Sequence, residues 1–171
     1  MAQGTAGEIA DLQGRGTPVG KSVNLYSGLV LIFAVSFTVY ERKKHDKLVL
    51  WGGVCFIVLH CISISYAFFP EDLPGTKETF QGFMHIAVTA LIVPFTILAP
   101  LLIGLGFRKE KEWRAFGLFS ILIGISIVIF GGMSAVFFVN KLPYFGLVER
   151  INIGGLQLWT CCLSYKLITQ K

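Results

Sequence analysis

Charge is what this sequence has least of. Only 15% of its 171 residues are Asp, Glu, Lys or Arg, against 54% hydrophobic residues, and the mean hydropathy is +0.68. A soluble single domain of this length needs more polar surface than that, so the composition excludes the soluble class. Histidine is scarce too: His45, His60 and His85 stand too far apart for the paired spacing of a metal hydrolase. The four cysteines, Cys55, Cys61, Cys161 and Cys162, make no CxxC, and they read as small buried apolar residues. Walker, Rossmann, HExxH and GxSxG patterns are all missing. No metal and no cofactor is therefore expected. The opening stretch MAQGTAGEIADLQGRGTPVG also lacks the apolar run of a cleavable signal.

What is present is apolar sequence gathered into runs. A run of about 18 such residues crosses the ~30 Å hydrocarbon layer as a helix. The expected fold is all-α, a polytopic transmembrane bundle with spans at about 24–40, 48–69, 83–107, 115–139 and 144–167. Residues 1–23 form a polar tail, and 24–171 form one transmembrane domain. Between the spans lie ERKKHDK, the acidic turn PEDLPGTKETFQG with its Pro74–Gly75 dipeptide, RKEKEWR, and NKLP. Pro94 and Pro100 fall inside the third span, where neighbours repair a kink instead of the helix ending.

The formal charge of +5 does not point to nucleic acid, because the basic residues cluster in short loops. Loops 41–47 and 108–114 and the C-terminal tail hold ten of the fifteen Lys and Arg. The positive-inside rule puts them in the cytoplasm, and the N-terminus and acidic turn outside. A plasma-membrane location and membrane lipids as partners are the expectation.

Helices in lipid associate by close packing, so small residues mark their contacts. Gly117, Gly124 and Gly131 recur every seven residues along the fourth span, and Gly52–Gly53 and Gly154–Gly155 offer similar approaches. The default is contact within one bundle; a homo-oligomer through the glycine face is the alternative. Trp51, Trp113, Tyr144 and Phe145 sit near span ends, as interfacial aromatics do.

An ionisable residue inside a membrane is costly and marks a site by default. His60 lies within the second span with Ser63 on nearly the same face, and His85 opens the third with Thr89 and Thr96. Glu71, Asp72, Glu149 and Arg150 are expected at the same outer level as His85, with Asn24 and Asn152 slightly deeper. Together Asp72, His85, Glu149, Arg150, His60 and Asn152 are the candidate ligand-binding residues. The plainer alternatives are a helix-to-helix hydrogen bond for His60 and solvated turn residues for Glu71 and Asp72. Arg150, if partly buried, would want a carboxylate such as Asp72 or a lipid phosphate.

GEIADLQGRGTP before an Asn-containing span, FPED closing a span, a His opening the next, and GLVER before the last resemble an uncharacterised membrane family. That family is called domain of unknown function 998. By this likeness Asp72, His85, Glu149 and Arg150 fall on its recurrent polar positions. The resemblance implies a helical integral membrane protein, often of six spans, with no established activity. It also implies a further span before the equivalent of GEIADL, which this sequence does not contain.

Three functions follow from these readings. One is non-enzymatic binding or movement of a lipid or small amphiphile through an outward polar pocket. Another is a membrane-embedded hydrolase or transferase, with His85 as general base and Asp72 or Glu149 orienting it. No nucleophile stands out for it. The last is an accessory or structural subunit.

Overall fold

A computed structural model describes residues 18–44, 46–72 and 77–169, with the side chains of 18–24 and of Lys44 outside the description. Arg15, Asn24's side chain, His45 and Pro74–Gly75 therefore fall outside the described residues. Five helices account for nearly all of it: α1 (Pro18–Glu41), α2 (Lys47–Ser63), α3 (Phe80–Phe107), α4 (Arg114–Val139) and α5 (Phe145–Ile168). Two 3-10 turns, Arg42–Lys44 and Ile64–Ala67, follow α1 and α2. Among the described residues there is no strand, as the all-α expectation required.

Helical stretches Lys47–Ala67, Phe80–Phe107 and Arg114–Val139 are long and apolar enough to cross a membrane, and Leu25–Glu41 is a shorter apolar helix. Each helix packs on the next along the chain. Local chemistry sets where two of them begin. Asp46 caps α2, its Oδ1 accepting from Leu48 N and Val49 N at 2.9 and 3.1 Å. Thr79 caps α3, its Oγ1 accepting from Gly82 N at 3.1 Å. Each cap satisfies backbone donors that have no partner inside the helix. Helix α3 runs through Pro94 and Pro100, although each proline deprives the carbonyl four residues earlier of its donor.

An aromatic chain joins the helices. Phe33 and Phe37 on α1 meet Phe56 and Phe107 edge-on, with centroids 6.2 Å apart in both pairs. Phe56 meets Trp159 of α5 at 5.2 Å. Trp159 is fully buried and its Nε1 donates to Ser120 Oγ of α4 at 2.8 Å, while Ser120 donates to Phe116 O. Such edge-to-face pairs, with the indole N–H partnered, are how aromatics fill a core.

Helices α3 and α4 approach closely at Gly104 and Gly117. A Cβ on Gly104 would lie 2.7 Å from Gly117 O, and one on Gly117 would lie 2.6 Å from Arg108 N. Backbone can approach this closely only where no side chain intervenes. Gly124 packs on Leu101 and Gly131 lies near Asn152, so much of the expected stripe is internal. Gly154 and Gly155 are different: nothing lies within 4 Å of a Cβ at either, so the expected close approach there is absent. Trp113 also departs from expectation. It is 2% exposed and stacks on Phe107 at 4.2 Å with Lys166 Nζ 5.5 Å above its ring, while Trp51 and Tyr144 are exposed.

Candidate functional site

The bundle has a basic end and an acidic end. At the basic end, Asp46 holds Lys109 Nζ at 3.0 Å as well as capping α2. Partial burial pushes the Asp46 carboxyl up, but the Val49 amide, Lys109 and the Leu48 amide together bring it below the ordinary value.

The acidic end gathers the polar residues. Asp72 closes the turn into α3: its Oδ1 accepts from Thr79 Oγ1 at 2.6 Å and its Oδ2 from Thr79 N at 2.8 Å. The Thr79 hydroxyl, then its amide, hold the Asp72 carboxyl below its usual range, with His85 adding to the effect. The same carboxylate occupies the place a side chain on Gly82 would need.

His85 is half-buried one turn further along α3, and its Nδ1 lies 2.8 Å from Phe69 O. A carbonyl only accepts, so Nδ1 carries the hydrogen. The ring packs at 4.7 Å against Tyr66, on the 3-10 turn after α2. Tyr66 OH lies 2.9 Å from Thr89 Oγ1, and Thr89 donates to His85 O at 2.8 Å. With the single Thr89 hydrogen committed, the phenol must donate to Thr89. Glu149, half-buried in the first turns of α5, lies within electrostatic reach of Glu71, His85, Arg150 and Tyr66.

The structure thus brings Asp72, His85 and Glu149 to one end, with Glu71 beside them. It does not join Arg150 to Asp72. The Arg150 Nη1 donates to Gly146 O of its own helix at 3.1 Å, and Asp72 is taken by Thr79. An i–4 carbonyl on the same helix is within easier reach than a carboxylate across the turn. His60 lies apart: 5% exposed, edge-on to Phe56 at 5.0 Å, neither ring nitrogen having a hydrogen-bond partner among the described residues. Ser63 donates to the His60 carbonyl, not to its ring. Asn152 faces α4 at Gly131 and lines a cavity of about 180 Å³ with Ser126, Phe130 and Ile151.

Tyr66 was not distinguished by the sequence. Its only signal is a tyrosine at a span end, shared with many interfacial aromatics. Among the described residues no group of three or more His, Cys, Asp or Glu is placed to hold a metal ion.

No curated protein and no solved structure matches this chain. A family model matches residues 11–166, nearly the whole length and every polar residue of the acidic end, and by it the chain belongs to the family described as Protein of unknown function (DUF998).

Proposed function

We propose that the protein is a five-pass membrane protein whose acidic end faces outward and binds the polar head of a lipid or small amphiphile. The carrying observation is the convergence of Tyr66, Glu71, Asp72, His85 and Glu149 from three separate stretches of chain at one end. Helices α1 and α5 complete the five passes, and the basic residues of 42–47 and 108–114 at the opposite end favour a cytoplasmic location for it. Polar groups gathered at the end of an apolar bundle suit a ligand with one polar and one oily part.

The hydrolase reading has less support. The partner that orients the His85 ring is the Phe69 carbonyl rather than a carboxylate, and among the described residues no hydroxyl or thiol is bonded to the imidazole. Native mass spectrometry of the purified chain tests the binding reading. The wild type should retain lipid or metabolite adducts that a His85→Ala/Glu149→Gln double variant loses; equal retention by both would refute it.

A further inference from the structure

We infer that the cavity between α4 and α5 is a separate binding site, which takes from the membrane interior a neutral apolar molecule carrying one hydroxyl group. This goes beyond the reading above, because none of Tyr66, Glu71, Asp72, His85 and Glu149 lines the cavity. The two helices meet differently along their length. Towards the basic end they satisfy each other: Trp159 Nε1 donates to Ser120 Oγ, and both side chains are buried. Further towards the acidic end a half-enclosed space of about 180 Å³ opens, walled by Ile127, Phe130 and Ile151 with Ser126 and Asn152. The Asn152 Oδ1 is shut off from solvent and has no hydrogen-bond partner among the described residues. Ser134 of α4, one turn beyond Phe130, does not supply one; its own hydroxyl is buried and unpartnered too. Ser126 spends its hydrogen on Leu122 O, 2.9 Å away in its own helix. The cavity therefore holds an unmet amide in an otherwise apolar wall. Gly155 keeps the space open, since nothing lies within 4 Å of a Cβ placed on it.

Size, depth and polarity together set the occupant. An apolar cavity of about 150 Å³ accepts a molecule the size of benzene, so this one holds a body of that order. It lies near the midpoint of α4, a helix long and apolar enough to cross a membrane. A charge at that depth is costly, and no Asp, Glu, Lys or Arg lines the space. Water suits it poorly: a buried water makes about three hydrogen bonds, and only Ser126 and Asn152 bring polar side chains here. A pure hydrocarbon would fill the volume and leave the amide unmet. A hydroxyl on an apolar body does both. Because it donates as well as accepts, it meets the amide whichever way the oxygen and nitrogen are turned.

The test is photolabelling of the full chain in phosphatidylcholine nanodiscs with an octanol that carries a diazirine, and with its hydroxyl-free analogue. Peptide mass spectrometry reads where each probe attaches. The alcohol should concentrate on the peptides holding 123–130 and 151–155, by about threefold over the hydrocarbon, which is what one hydrogen bond in a membrane is worth. Asn152→Ala keeps the space and removes the amide, so alcohol labelling should fall to the level of the hydrocarbon. Gly155→Leu grows a side chain into the open volume and should remove both labels there without lowering the thermal midpoint. Equal labelling of the wild type by the two probes overturns the hydroxyl. A label spread over all five helices, or gathered on residues 66–85, overturns the site. Undiminished alcohol labelling of Asn152→Ala overturns the role of the amide, whatever Gly155→Leu does to folding.

Discussion

The two ends of the bundle are built on opposite plans. At the basic end, backbones touch at Gly104 and Gly117, Trp113 lies flat on Phe107, and Asp46 engages two amides and a lysine at once. At the acidic end the helices are held by Thr79 and by single hydrogen bonds, and carboxylates and rings share the space with no ion pair among the described residues there. Tight packing suits a scaffold. Uncommitted acceptors at the other end suit a site, because groups that satisfy each other have nothing left for a ligand. The contrast assigns stability to the basic end, and it is the acidic end to which the proposed function gives recognition.

Substitution at Gly117 should have the largest effect. Gly117→Leu forces a side chain into the Arg108 and Gly104 backbone; a loss of about 1–3 kcal/mol or more is expected, seen as a lowered thermal midpoint in detergent. Retained stability there would erase the contrast. Ser120→Ala comes next. It leaves the fully buried Trp159 Nε1 without its acceptor, at about 1–3 kcal/mol by the same measurement. Asp46→Ala removes a helix cap at about 1 kcal/mol.

His85→Ala should cost less stability than any of these and should show mainly as lost ligand retention. A fall in midpoint as large as that of Gly117→Leu would show that the acidic end is structural as well. The smallest effect concerns acid. The folded Asp72 carboxyl is depressed below its ordinary value of 3.8, so its contribution is complete above that value and fades as pH falls through the lower folded value. Wild-type stability should therefore gain no Asp72-dependent change between neutral pH and about 5, and Asp72→Asn should flatten part of the fall below 3.8.

Depth along each helix was legible in the sequence; direction around the bundle was not. The runs of apolar residues are bounded by the thickness of a bilayer, so α3, α4 and α5 lie within three residues of their expected places, while α1 begins six residues before its expected start and α2 ends six before its expected end, where a 3-10 turn takes over. The same logic placed Asp72, His85 and Glu149 at one level. Composition along a run carries little information about which neighbour a residue faces, because lipid and helix are equally apolar. Hence Trp113 turned inward onto Phe107 where an interfacial ring was expected, and Gly154 and Gly155 have no neighbour within 4 Å of a Cβ where a close approach was expected. Asn152 met α4 at Gly131. Arg150 found a carbonyl on its own helix. Tyr66 became visible only once the turn carrying it was seen against His85.

That turn has a further consequence. Residues 64–67 wind as a 3-10 helix, which advances about 120° per residue where an α-helix advances about 100°. The phase of Tyr66 relative to α3 is therefore set by where the winding tightens, and each added residue would swing the phenol about a third of a circle. One alanine inserted between Ser63 and Tyr66 should carry its oxygen out of line with Thr89 while the tryptophan and glycine contacts at the far end stay as they are. The winding of four residues thus acts as the dial that aims the site.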